Sequence, residues 1–402
     1  MKLSTETLIE NQIHQKGAIS FGEFMEIAMY HPNVGYYTSS KSIIDNFYTS
    51  PYAHPAFGAA LCLQLNQMWL ALGEPEVFVV IEVGCGDGIL AQDIVGYSKS
   101  NSLPFINAFE YVAVDRSKSL IDSFGSVQGF SKVVSNLDSF KEVVGCIISN
   151  ELIDSFPVNR FMIQDGKIRE IMVTLKNGRF SEILSEKPDQ IIIERLNHLN
   201  WELPDNFEGE INCHIESWIK SLSRVLSNGF VITIDYGGDY TYLFSPENKF
   251  SSIRSYRRHS SPNSIYDHIG YCDITADVDF SWLINQSERF GLKSLYISDQ
   301  REFLSRWGVD NWVDDIRLKK INRNVLNSNL VGLRQLLRDD GFGIFKVLIQ
   351  YSGQESDSLG DILPDEATSN GYPVPMLTDK HADYLSSKYP HIVESEFDRL
   401  FF

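Results

Sequence analysis

No two of the five cysteines stand close enough to form a Cys-x-x-Cys pair; they fall at Cys62, Cys85, Cys146, Cys213 and Cys272. An odd, scattered set of this kind offers neither a zinc knuckle nor a disulfide framework. Long apolar runs are missing too, and none approaches the roughly 18–20 residues of a bilayer-spanning helix. The opening residues, MKLSTETLIENQIHQKGAIS, lack the apolar core of a secretory signal and the Arg-rich, acid-poor pattern of a transit peptide. These absences lead to the expectation of a cytoplasmic protein. Basic residues are scarce: 35 Lys and Arg against 53 Asp and Glu leave a net charge of −18. That balance argues against broad nucleic-acid binding, which rests on clustered Lys and Arg. The histidines show no ligand-like spacing, so no metal is expected. There is no internal repeat and no low-complexity tract.

What is present is core material. Hydrophobic residues make up 43% of the 402 positions and aromatics 12%, enough for two or three domains or one large core with insertions. Ser20-Phe21-Gly22-Glu23 has the spacing of a capping box ahead of apolar Phe24, Ile27 and Ala28, which predicts a helix. Residues 31–55 are rich in Pro, Gly, Tyr, Ser and Asn and read as a long loop. Pro55 then opens an apolar helix that ends near Gly73.

From residue 77 the rhythm changes. Short apolar runs, Val77 to Ile81, Tyr111 to Val114, Val133-Val134, Cys146 to Ile148 and Phe230 to Ile234, alternate with helical stretches. This is the pattern of a parallel sheet covered on both faces, hence an α/β doubly wound, Rossmann-like domain. Runs at Leu295 to Ile297 and Phe345 to Ile349 would complete the sheet. Three parts result: 1–75, mainly helical; 76–350, the α/β domain, with insertions at about 156–214 and 238–275; and 351–402, an extension of unknown role. Within the first insertion Asp165-Gly166 separates two strand-like runs and signals a hairpin. Insertions after the carboxyl ends of sheet strands fall where α/β folds bind ligands.

The most informative stretch is Glu82-Val83-Gly84-Cys85-Gly86-Asp87-Gly88, directly after an apolar run. A strand that turns sharply into a helix and lets a ligand approach its backbone needs glycines at the turn. A dinucleotide fingerprint puts its third glycine five residues after the first. Here Gly88 comes four after Gly84, and Glu82 stands two before it. This variant resembles motif I of the class I S-adenosylmethionine-dependent methyltransferases. Readings as a tight turn alone, or as a site for another nucleotide such as NAD, stay open on these residues. Asp115 ends the next apolar run, where a carboxylate can accept both ribose hydroxyls; the polar loop 96–107 accounts for its distance from Gly84. Asp138, after the third run, is a candidate acceptor for an adenine amine.

Further segments narrow the resemblance. Ser149-Asn150-Glu151-Leu152-Ile153-Asp154-Ser155-Phe156-Pro157-Val158 resembles the N-E-x-x-D-x-x-P-V motif of the MidA-like family. Gly35-Tyr36-Tyr37, Phe47-Tyr48-Thr49-Ser50-Pro51, Asp235-Tyr236-Gly237, Arg254 to His259 and Asp273 to Phe280 match in the family's order, over roughly residues 17–350. The family includes a mitochondrial arginine methyltransferase that serves respiratory complex I assembly. The resemblance therefore implies S-adenosyl-L-methionine as cofactor and an arginine of a partner protein, such as a complex I subunit, as target. It implies a cofactor site at Glu82, Gly84, Cys85, Gly86, Gly88, Asp115, Asp138, Thr49 and Ser50, with loop 31–55 covering the cofactor. Departures occur at Asp45 and Asn46, where the family usually has Gly-Asp, and at Tyr52, where it usually has Glu. These favour a second reading, an assembly or binding module that keeps the fold without catalysis; a small-molecule methyltransferase is a third.

The chemistry of the acidic pair can be argued separately. A guanidinium stays protonated at neutral pH, so its nitrogen attacks only when a site orients it and takes a proton. Two carboxylates can hold its planar fork and aim one nitrogen at the methyl group. Glu151 is expected as guanidinium binder, Asp154 as its helper and Asn150 near the reacting centre. The bland alternative is that Glu151 and Asp154 cap a helix or sit on a solvated loop. Asp235 is a third acid of the crevice or a turn former. Arg254, Arg257 and Arg258 dock an acidic partner or pair with surplus carboxylates. Tyr36, Tyr37, Phe47 and Tyr48 line the pocket or belong to the core.

Overall fold

Ser20 and Glu23 begin a helix as their spacing predicts: the Ser20 hydroxyl accepts from the Glu23 amide at 3.1 Å, and the Glu23 carboxylate accepts from the Ser20 amide at 3.0 Å. In this computed structural model, residues 4–39, 48–117, 132–245, 251–256, 264–353, 359, 362–364 and 371–388 are described. Asp45, Asn46, Phe47 and the Arg257–His259 part of its segment lie outside them.

Helix α1 spans Thr5–Lys16, α2 Phe21–Tyr30 and α3 Ala56–Ala71, the last capped by Pro55 as read from the sequence. Helix α3 is buried on nearly every side, which fits its apolar circumference. Among the described residues seven strands build the central sheet: β1 Phe78–Val83, β2 Phe109–Val114, β3 Lys132–Val134, β4 Val143–Asn150, β5 Leu226–Asp235, β6 Lys293–Asp299 and β7 Lys346–Ser352. Their order is β6-β7-β5-β4-β1-β2-β3. Strands β1 to β5 run parallel to one another. Helix α4, Ile89–Ser100, follows β1, α5, Ile215–Val225, precedes β5, and α6, Phe280–Arg289, precedes β6.

Alternate side chains of the strands feed two cores. Val80, Cys146, Ile148, Ile232 and Ile349 face α3, α4 and the helices between 300 and 337. Ile81, Ile147, Val231 and Leu348 face α5 and α6. The α/β, Rossmann-like expectation holds, with one difference. Strand β7 runs antiparallel to both β5 and β6. The chain leaves β6 at Asp299 and returns to β7 at Lys346, paired with Asp299 in register. A helical excursion that begins and ends at the same end of the sheet can only return antiparallel.

The insertion after β4 forms an antiparallel sheet of its own. Val158–Gln164 pairs with Lys167–Lys176 across Asp165-Gly166, both with positive φ as the hairpin signal requires. Arg179–Ser185 and Glu208–Asn212 extend it, and Ile19–Ser20 adds a short strand from the N-terminal region. Residues of α1 and α2 share a core with this sheet. The insertion therefore meets the chain's N-terminal helices directly above the carboxyl ends of β1 and β4.

Candidate functional site

Between β1 and α4 the backbone takes three left-handed steps, at Gly84 (φ 77°), Gly86 (φ 54°) and Gly88 (φ 74°). The left-handed φ of Gly84 is what requires glycine there; a Cβ would meet only the terminal methyl of Leu152, at 2.9 Å. Gly88 caps α4. The Gly84 amide donates to the Val114 carbonyl at 2.8 Å, which ties the loop to the end of β2. Asp115, the next residue, accepts from the Gly86 amide at 3.3 Å and the Ser117 amide at 2.7 Å. Burial raises its pKa and these amides pull it back. Glu82 accepts from the Tyr111 hydroxyl at 2.6 Å, and burial pushes its pKa up to about 8.

The loop forms one wall of a cavity of about 420 Å³ lined by residues from both sides of the sheet's switch point. This volume suits a nucleoside-sized ligand. Glu82, Gly84, Cys85, Gly86, Asp115, Asp138, Thr49, Asn150, Glu151 and Asp154 all line it. Ser50 stands behind the wall: its amide meets Glu151 Oε1 at 3.3 Å and its hydroxyl donates to Gln300 at 3.0 Å. Asp138 is at the rim, its side chain 71% exposed and 2.6 Å from the Arg224 guanidinium.

The opposite wall is acidic. Glu151 sits at φ 48°, a left-handed conformation that costs a residue with a Cβ on the order of 1 kcal/mol. Its amide donates to the Ile234 carbonyl at 2.8 Å, and its carboxylate accepts from Asn150 Nδ2 at 3.3 Å. Burial, reinforced by the nearby Asp154 charge, raises the Glu151 pKa to about 8. Asp154 is raised to about 6 by burial, with a Tyr236 hydrogen bond opposing. Asp154 Oδ1 and Asn150 Oδ1 are buried acceptors without a hydrogen-bond partner. Buried acceptors left without a donor are costly, so a hydrogen-bond donor entering the cavity here would be favoured.

Asp235 lies under this wall, outside the cavity lining. Its Oδ2 accepts from the Ile153 and Asp154 amides at 2.9 and 3.2 Å, so it holds the turn that presents Asp154. Arg254 pairs with Asp277 at 2.7 Å and lies over the Tyr236 ring. Tyr37 lines the cavity, Tyr36 is in the core of α1 and α2, and Tyr48 packs on Phe342.

Three residues join the site without an assigned role in the sequence reading. Asp273 is fully buried, accepts from the Tyr37 hydroxyl at 2.8 Å and is raised to about 8 by burial and then by Asp154. Tyr30 lines the cavity and donates to the Ser155 carbonyl at 2.8 Å. Trp218 lines it from α5. The Asp273 segment was one of the family matches, and Tyr30 ends the capped helix; Trp218 has no signal beyond its place on an amphipathic helix. Among the described residues no group of three or more His, Cys, Asp and Glu is arranged to hold a metal ion, and no helix is long and apolar enough to cross a membrane.

A family model described as "Putative S-adenosyl-L-methionine-dependent methyltransferase" matches residues 60–298. The mouse "Protein arginine methyltransferase NDUFAF7, mitochondrial" is 26% identical over 345 residues, 77% of this chain and 74% of the relative. Its human counterpart is 25% identical over 366 residues, 81% and 76% of the two chains. A crystal structure from Burkholderia thailandensis, bound to S-adenosyl-homocysteine, superposes with a TM-score of 0.77 at 20% identity, covering 90% of this chain and 96% of that one; at this identity the likeness carries the fold. The cytoplasmic expectation is corrected by the relatives, which are named as mitochondrial proteins. The composition of an N-terminus reports on a leader segment, not on the compartment where a folded chain works.

Proposed function

The chain belongs to the S-adenosyl-L-methionine-dependent methyltransferase family, and from that premise we propose that it methylates an arginine side chain of a partner protein. The observation that carries this reading is the joining of the glycine loop and the Glu151/Asp154 wall in one cavity. The resemblance of the sequence adds a respiratory complex I subunit as the target. The acidic surface, net charge −18, suits an arginine-presenting partner.

The cofactor supplies a methyl group on an electrophilic sulfonium. Gly84, Gly86 and Asp115 would hold it, the glycines by leaving the backbone open and Asp115 as an acceptor at the end of β2. Thr49 flanks the same space with Ser50 behind it, and Glu82 and Cys85 build the loop's base. Asp138 at the rim, with one oxygen on Arg224, could offer its other oxygen to an adenine amine and would be the outermost of these contacts.

Glu151 and Asp154 accept the N–H groups of the incoming guanidinium, and Asn150 Oδ1 accepts one more. Two carboxylates hold the planar fork and concentrate its charge away from the attacking nitrogen. One N–C bond forms and one S–C bond breaks, and the nitrogen's proton passes to a carboxylate. Glu151, with its pKa near 8, is the stronger base of the pair and takes that proton. Positioning supplies most of the rate, because the leaving group is already good. Tyr30 and Tyr37 close the wall and exclude water.

The reading is tested by titrating the protein with S-adenosylmethionine and its demethylated product, followed by transfer of labelled methyl to a protein fraction. Micromolar binding and label in protein are expected. Binding without transfer to protein would favour the assembly-module reading, and label in small molecules would refute a protein target.

A further inference from the structure

The tail returns to the glycine loop. Helix α7, Asp379–Lys388, lies against the outer side of the cavity wall. Lys380 Nζ is 3.0 Å from Asp87 Oδ2 and donates to the Asp87 carbonyl at 3.3 Å. The Tyr384 hydroxyl donates to Asp87 Oδ2 at 3.0 Å. His381, fully buried, has Nε2 3.1 Å from the Pro51 carbonyl and 3.1 Å from Asp93 Oδ2 on α4. The rings of Tyr384 and Tyr52 lie 4.2 Å apart, and the Tyr52 hydroxyl hydrogen-bonds with Asp87.

Asp87, Pro51 and Tyr52 line the cavity, whereas Lys380, His381 and Tyr384 do not. The three tail residues therefore act through others. Asp87 belongs to the glycine loop and Pro51-Tyr52 to the facing segment, and no strand pairing joins these two walls. The glycine loop itself, with three left-handed glycines, has little intrinsic rigidity. Charge-assisted bonds to Asp87 are the kind that fix such a backbone.

We propose that α7 is a clamp for the cofactor site, in which Lys380, His381 and Tyr384 are positioning residues that hold Asp87 against Pro51 and Tyr52. The proposal rests on the reading of this cavity as the cofactor site. It gives residues 371–388 a role in binding that the glycine loop alone would not reveal.

The test uses the full chain carrying Lys380→Met with Tyr384→Phe, which keeps the ring contact with Tyr52. Hydrogen exchange at amides 85–90 is followed without cofactor, and S-adenosylmethionine affinity is measured by titration. Exchange there should rise about tenfold with β4 unchanged, and affinity should fall about tenfold; Lys380→Arg should behave as wild type. Unchanged exchange at 85–90, or unchanged affinity where the wild type binds, overturns the clamp. Faster exchange in the variant together with no binding by the wild type would leave the loop contact standing and refute the cofactor reading instead. Should the double variant fail to fold, Tyr384→Phe alone gives the same comparison.

Discussion

The Ser50 amide reaches Glu151 Oε1 at 3.3 Å, which joins the segment ahead of α3 to the residue that turns the chain out of β4. Glu151 is thereby held from two sides, with Asn150 Nδ2 on the same oxygen. On the proposed reading this side chain binds the guanidinium, so its substitution should separate catalysis from cofactor binding.

Glu151→Gln removes the base while keeping a hydrogen-bonding side chain of the same size. Methyl transfer should fall by roughly a hundredfold or more, the range for a lost general base. Cofactor affinity, measured by calorimetry on the same preparation, should stay within about threefold. Equal loss of both would assign Glu151 to the cofactor.

Asp115→Ala should do the reverse. Loss of hydrogen bonds to a charged acceptor weakens binding by about 1.5–3 kcal/mol, so the cofactor dissociation constant should rise while the transfer rate at saturation changes little. An unchanged dissociation constant would remove Asp115 from the site.

Proton transfer to Glu151 needs the ionised carboxylate. With its pKa near 8, kcat/KM for the protein target should rise from about pH 6 and level off above about pH 8, because this ratio reports groups of the free enzyme. A flat profile, or one that falls over that range, would contradict the assignment.

Stability should run the other way. Glu82, Glu151 and Asp273 are raised to about 8 in the folded chain, against about 4 when unfolded. The folded state binds more protons in between, so their contribution is whole below about pH 4 and is lost as pH rises through about 8. The melting temperature of the cofactor-free protein should fall from about pH 5 to about pH 8. Asp273→Asn should make that slope shallower; an identical slope would show that Asp273 does not hold a proton in the fold.

The glycine loop, Asp115 and the Glu151/Asp154 pair were legible because their chemistry is local: glycines where φ is positive, an acid at a strand end, two acids three apart after a strand. Asp165-Gly166 announced its hairpin in the same way, and Asn177-Gly178, which carries the same positive φ values, makes the next turn on a signal the sequence reading passed over. Asp273 escaped a role because only the fold brings it beneath Tyr37, 236 residues away. The direction of β7 was hidden because an apolar run does not encode which way it is traversed. Tyr52 could not be given a partner from the sequence because the ring it packs on, Tyr384, lies far along the chain in the tail.

The central claim is that the methyl group ends on an arginine of a protein. The direct measurement is incubation of the purified protein with methyl-labelled S-adenosylmethionine and mitochondrial protein extract, followed by complete hydrolysis and amino-acid separation. The account predicts label in methylarginine, absent when Glu151→Gln replaces the wild type. Label in another amino acid, or equal methylarginine with the variant, would contradict it.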